Sequence, residues 1–564
     1  MNRRPFFVLT ALSLALGLCA ANAQAQTDVP KNVWREYDKL LGQTPPPEST
    51  STPETLRADP KGLALVLPQT RATLATVLAT ASTALRGPLE AADRHFAAAQ
   101  EQLHQTGNDA SPLFMVGVLQ TMATGQTQMD QALDIAATTD PAAIALLLPA
   151  VQKVREAAAR MSQGLIDLAG AAGVSKGRLA PARTAQREGD RLHLAGDYGG
   201  AVSKYADGFG LAANTVVFDL SRFEQNLRSV FDNQTVGWSY AISVAGQLAR
   251  SGASGLARTA ADGAAVAQSP TRKMHVASVS KPLTAIVLLR LLADRGISVD
   301  SAIGPHLPVG WARGNGVDSI TFRQLLTHRS GFGQNAPGSN QYASLQTMAA
   351  QAVPAKGQFD YENANFGLMR VLVSVLQGID PTLIAADPAA LSAAAFIQRA
   401  VGQYQAVGVP YSCNPSATNP TLQYHFPDTG GAGYDEPPSG LGCGGFGAFI
   451  SARDLARTMA YLRYTSDLMP ASSFQQMKSG FLGFMNPANN YGFAQGSFGV
   501  YHTHGGDWDH GAGGLDSCVM MYPIHVEAAV LINSSRKASG VGYPQGGYQC
   551  TVMKWAFENA WVAN

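Results

Sequence analysis

The sequence predicts an α+β fold, an antiparallel sheet flanked by helices, preceded by an all-α helical domain. Three observations carry this expectation. A long stretch before residue 228 places Ala, Leu, Gln and Arg at helical spacing, a strand pair follows it, and a second strand pair lies near the C-terminus. A sheet assembled from both ends of a domain, with helices inserted between, is an α+β arrangement.

With 564 residues the chain exceeds one ordinary core, so more than one domain is expected. Charge is sparse and balanced at net +1, which argues against a nucleic-acid or membrane-surface partner. The first 25 residues read as a signal peptide: Arg3 and Arg4, an apolar run from Phe6, then small-residue sites at Ala21-Asn22-Ala23 and Ala23-Gln24-Ala25. Arg-Arg-x-Phe allows twin-arginine export as well as the general route. Cys19 follows Leu18, where a lipoprotein signal would carry a small residue. The expected location is periplasmic or secreted, with no membrane span in the mature chain.

Residues 26–62 read as a linker, since "GQTPPPESTSTPE" combines proline with small polar residues. Residues 63–227 read as a helical domain: "TRATLATVLATASTAL", "PLEAADRHFAAAQEQLHQ" and "AIALLLPAVQKVREAAARMSQGLIDLAGAAG" are amphipathic. "AQREGDRLHLAGDYGGAVSKYADGFGLA" looks like one tetratricopeptide-type hairpin, and a single copy makes no solenoid. This region holds no catalytic constellation; a protein partner is one role open to it.

Residues 231–564 carry the chemistry. "WSYAISVAGQLARSG" reads as strand, turn at Gly246, strand, and "SCVMMYPIHVEAAVLIN" as a hairpin turning at Pro523-Ile524-His525. Between them, Ser278-x-x-Lys281 opens the apolar run Leu283–Leu292. Ser278 is therefore expected at a helix N-terminus with Lys281 one turn on. A serine needs a base, and burial plus the positive helix end disfavour the ammonium of a lysine. Alone the pattern is weak, since it recurs at Ser534–Lys537 and fits a helix cap with a surface lysine. Tyr361-Glu362-Asn363 adds a phenol for proton transfer and an amide able to hold the lysine and a substrate carbonyl.

In combination, Ser278-Val-Ser-Lys281, "SITFRQLLTHRSGFG", Tyr361-Glu-Asn363, "GCGGFGAFISARDLARTMAYL" and a late His/Gly segment resemble the class C β-lactamase-like serine hydrolases. That family includes penicillin-binding DD-peptidases, D-aminopeptidases and esterases. The resemblance covers roughly residues 231–564 and implies a β-lactamase/transpeptidase-like fold. It also implies catalytic Ser278, Lys281 and Tyr361, with Asn363 at the substrate. For the third motif, Lys-Thr-Gly or His-x-Gly, the expectation is His510-Gly511-Ala512-Gly513, with His504-Gly505-Gly506 second. An oxyanion hole from the amides of Ser278 and a residue near Gly513 is implied. His328 is expected to have a structural role only.

No cofactor is expected. "HTHGGDWDH" suggests zinc, but Gly505 and Gly506 separate His504 from Asp507, and Asp509 intervenes before His510. Cys413, Cys443, Cys518 and Cys550 remain after the signal, and pairing Cys413 with Cys443 and Cys518 with Cys550 closes the shortest loops. The functional expectation is an exported serine hydrolase acting through an acyl-enzyme on ester or amide substrates, D-amino-acid or β-lactam compounds among them. A small-molecule or peptidoglycan-derived substrate fits. The alternatives are an inactive penicillin-binding-like recognition protein and, further off, a zinc-dependent hydrolase.

Overall fold

The computed structural model describes residues 63–104, 114–333, 340–427, 431–437, 443–522, 524–536 and 539–564. The signal peptide and linker expected at 1–25 and 26–62 lie outside them, as does Lys537. Two compact units are present. One comprises the described chain through Arg222 with 490–500 and 558–564; the other comprises 223–489 and 501–557.

The first unit is built on helices α1 (Leu63–Leu78), α2 (Thr83–His104), α3 (Phe114–Thr139), α4 (Pro141–Ala171), α5 (Lys176–Leu194) and α6 (Tyr198–Ala213). Side-chain oxygens start the later ones. Asp140, Ser175 and Asp197 accept from the amides of Ala143, Arg178 and Gly200 at the heads of α4, α5 and α6. Residues 70–85, read as one helix, are split between α1 and α2 by a break before Thr83. The hairpin expected around Gly196-Asp197-Tyr198 is α5–α6, and Tyr205 Oη donates to Asp190 Oδ1 at 2.8 Å across it. A strand absent from the sequence reading, β1 (Val216–Phe218), pairs antiparallel with Trp561–Ala563.

The second unit centres on an antiparallel sheet. Its long strands are β2 (Gly237–Val244), β3 (Gln247–Arg258), β4 (His502–Asp509), β5 (Gly514–Tyr522) and β6 (Val526–Ile532), in spatial order β4–β5–β6–β2–β3. Ala245 and Gly246 both have positive φ (48° and 79°), which suits the two-residue turn between β2 and β3. Every residue of β5 and β6 is buried, so apolar runs replace alternation where both faces are covered.

Three helices matter for the site: α7 (Ser280–Asp294), α8 (Asn363–Leu376) and α9 (Ala452–Tyr464). Helix α7 is buried from Ser280 through Leu289, as an apolar run with little polar face must be. A fourth, α10 (Gln549–Glu558), follows the sheet. Both disulfides form with the expected pairing, Cys413–Cys443 and Cys518–Cys550. No helix among the described residues is long and apolar enough to cross a membrane.

Candidate active site

Ser278 lies in a 3-10 turn, Ala277–Val279, that runs straight into α7. The turn is forced: Ala277 has φ 44°, a region L-residues seldom occupy, and its carbonyl accepts Ser280 Oγ at 2.7 Å. The segment 443–448 clamps the same corner. Ala448 bonds Val276 through its carbonyl and Ser280 Oγ through its amide, and Thr284 Oγ1 donates to the Gly444 carbonyl at 2.7 Å. Ser278 itself stays half-buried.

Lys281 is fully buried, and its Nζ has three neighbours: Ser278 Oγ at 2.9 Å, Asn363 Oδ1 at 2.6 Å and the Gly445 carbonyl at 2.8 Å. Burial pulls its ammonium down to about 7, against the nearby carboxylates of Glu362 and Asp507, which favour the charge. Once neutral, Nζ keeps two hydrogens, which match the two carbonyl oxygens, and turns its lone pair to the Ser278 hydroxyl. A neutral amine so placed can take a proton from serine.

Tyr361 and Asn363 enter from the head of α8, where Glu362 is the cap and accepts from the Ala364 amide at 3.2 Å. The Tyr361 ring lies 4.9 Å from Lys281 Nζ. It also stacks on His328 with centroids 4.3 Å apart. His328 is buried with φ 56°, and its Nδ1 accepts the Glu362 amide at 3.1 Å. Desolvation, helped by Lys281, keeps this imidazole neutral, well below its usual range. His328 is expected from the sequence to have a structural role only. The structure sets it directly behind Tyr361.

Strand β4 closes the opposite side. His504 and Gly506 face the cluster. His504 lies 6.3 Å from the Tyr361 ring, and burial lowers its imidazolium to about 3. A Cβ on Gly506 would fall 2.6 Å from the Val276 carbonyl and 2.9 Å from the Ser278 amide. Only glycine lets the strand backbone come this close. His510–Gly513, the segment expected to supply the third motif, instead forms the tight turn from β4 to β5, with the His510 amide donating to the Gly513 carbonyl at 2.9 Å. Gly511 and Ala512 are exposed. His510 Nε2 meets Glu436 Oε2 at 2.9 Å and its ring stacks on Tyr434. A Cβ on Gly513 would collide with the Gln423 carbonyl. It is therefore His504-Gly505-Gly506, the second choice in the sequence analysis, that the structure brings to Ser278.

The histidines of "HTHGGDWDH" reach separate surroundings: His502 packs against Phe481 and Phe484, His504 against Tyr361, and His510 against Tyr434. Among the described residues no group of three or more His, Cys, Asp or Glu is arranged to hold a metal ion. The later Ser534 accepts the Val236 amide at 3.0 Å, a packing role.

The chain is 25% identical over 119 residues to "Protein flp" of Staphylococcus aureus, a match spanning 19% of this chain and about a quarter (24%) of the relative's length. Among solved structures, a β-lactamase/D-alanine carboxypeptidase from Pseudomonas syringae superposes with TM-score 0.45 at 16% identity, covering 60% of this chain and 97% of that one. A D-stereospecific amidohydrolase from a Streptomyces species gives TM-score 0.42 at 20% identity, covering 60% and 98%. The beta-lactamase family itself matches residues 220–544, more than half of the sequence and the whole of the cluster described above, and the chain belongs to that family.

Proposed function

We propose that the protein is an exported serine hydrolase that works through an acyl-enzyme. The observation that carries this reading is the contact of a buried Lys281 with Ser278 Oγ at 2.9 Å. Ser278 Oγ attacks a carbonyl carbon, and its proton passes to Lys281 Nζ. Tyr361, held against Lys281 and His328, relays that proton to the departing oxygen or nitrogen. Water then cleaves the acyl-enzyme by the reverse relay, restoring the Ser278 hydroxyl. Asn363 fixes Lys281 and faces the substrate carbonyl.

The developing oxyanion is met by the Ser278 amide and by an amide of β4 beside Gly506. His504, neutral at physiological pH, occupies the place for which the family resemblance gives lysine or histidine. A neutral imidazole attracts a substrate carboxylate less than an ammonium does. Esters and amides, D-amino-acid derivatives among them, are therefore favoured over β-lactams. Two disulfides support an oxidising compartment.

The test is intact-protein mass after treatment with a fluorophosphonate and, separately, a penicillin, for the wild type and Ser278→Ala. A Ser278-dependent fluorophosphonate adduct supports the reading, and a lasting penicillin adduct would move the substrate class towards peptidoglycan peptides. Folded protein with no adduct from either would make it a recognition protein instead.

A further inference from the structure

Beyond the reacting groups, four half-buried rings form a continuous row that starts at the cluster. Phe446 directly follows Gly445, whose carbonyl accepts Lys281, and it stacks on Trp508 with centroids 5.0 Å apart at 26°. Trp508 meets His510 edge-on at 5.1 Å and 75°, and His510 stacks on Tyr434 at 4.0 Å and 26°. The row is fixed at its far end: Glu436 is buried and its Oε2 accepts Gln423 Nε2 at 3.0 Å as well as meeting His510.

The position of the row is set by the strand. Trp508 follows Gly506 by two residues, so it projects from the same face of β4, roughly 7 Å further along. Its other neighbour is His275, three residues before Ser278, at a centroid distance of 6.3 Å. Both ends of the Phe446–Trp508 pair are thus tethered to residues adjoining Ser278 and Lys281. A row of rings that were merely core would be buried. These four each keep part of their surface in solvent.

We propose that Trp508, with Phe446, His510 and Tyr434, is a specificity wall for substrates whose acyl group carries an aromatic side chain. The inference rests on the serine hydrolase reading and names the substrate class for that site. The acyl group stays attached to Ser278 through both half-reactions, so a fixed wall beside it favours formation and breakdown of the intermediate alike. His510 acts here as a ring held by Glu436, which accounts for a histidine that lies away from Ser278.

The test compares kcat/KM for p-nitrophenyl phenylacetate and p-nitrophenyl acetate in the full chain, in Trp508→Ala, Trp508→Phe and Tyr434→Ala. The wild type is expected to favour phenylacetate by roughly tenfold. Trp508→Ala and Tyr434→Ala should each lower that ratio severalfold, with Trp508→Phe retaining most of it. Tyr434→Ala, at a half-buried loop position, guards against loss of folding in the Trp508 variants. Fluorophosphonate labelling of Ser278 is measured alongside. If Ser278 labels in every variant and the ratio does not change, the wall is wrong while the hydrolase stands. A wild type that does not label removes the hydrolase reading and this proposal together.

Discussion

His328 and Tyr361 lie face to face, ring centroids 4.3 Å apart and planes 26° from parallel. The same imidazole accepts the Glu362 amide, so it holds both the phenol and the backbone that carries it. His328→Ala should therefore lower kcat more than it raises KM, since substrate contacts remain. A ring of similar size without the nitrogen acceptor, His328→Phe, should restore stacking and recover only part of kcat. Steady-state kinetics on one ester, with the pH–rate profile, separates this from general destabilisation, which would lower the active fraction without changing the profile.

The depressed Lys281 predicts the pH dependence of acylation. In the proposed mechanism the neutral amine is the reactive form, so the rate should climb as pH rises through about 7 and level off above it. Stability follows the same sign. Between the folded value and the ordinary lysine value near 10.4 the unfolded chain binds one more proton, so folding strengthens with rising pH across that window. Lys281→Met should abolish the ascending limb and slow acylation by roughly 10²–10⁴-fold, read by single-turnover labelling.

Gly506→Ala is expected to be severe for a residue with no side chain. Its Cβ would press on the Val276 carbonyl and the Ser278 amide, both backbone atoms with nowhere to go. The strand or the turn must shift, and either moves the oxyanion donors. Loss of most Ser278 labelling, with circular dichroism still showing a folded sheet, is the expected result; wild-type labelling would contradict the placement of β4.

The two disulfides should differ in consequence. Cys443 precedes Gly444 and Gly445, the acceptors of Thr284 and Lys281, and its own carbonyl takes Arg370. Each bridge spans a similar separation, 30 and 32 residues, so each should contribute about 3–4 kcal/mol of stability. Replacing Cys413 and Cys443 by alanine should in addition slow turnover, whereas replacing Cys518 and Cys550 should mainly lower the unfolding midpoint. Denaturant titration alongside kcat distinguishes the pairs.

What could be read from the sequence divides along a physical line. The proximity of Ser278, Lys281, Tyr361 and Asn363 was legible from the two short motifs taken together with the family resemblance, and α7 and the two strand hairpins were legible from apolar runs and turn residues. Both cysteine pairs followed from loop length. The missed features are backbone contacts or contacts between distant segments. The Gly445 carbonyl has no side-chain signature, though the glycine-rich "GCGGFG" marks a place where backbone comes close. His504 and His510 each precede glycines in one short window, so residue types alone do not separate them. The glycine pair after His504 was the better signal, since only glycine admits the strand next to Ser278. The break between α1 and α2 sits where Ser82 has only weak turn chemistry, and β1 depends on a partner more than 300 residues away, beyond any local pattern.

Strand β4 sorts its residues by parity. His504, Gly506 and Trp508 look toward the rings and turn around Ser278, and His502 toward Phe481 and Phe484. Thr503 and Gly505 look the other way, onto the Cys518–Cys550 bridge and Tyr548. A saturation scan across 502–508 should therefore read as a two-beat rhythm: substitutions on one beat would appear as altered turnover or substrate preference, those on the other as lost yield. Laboratory evolution of this protein would then have half a strand on which to change the proposed chemistry, while the alternate positions hold the sheet together.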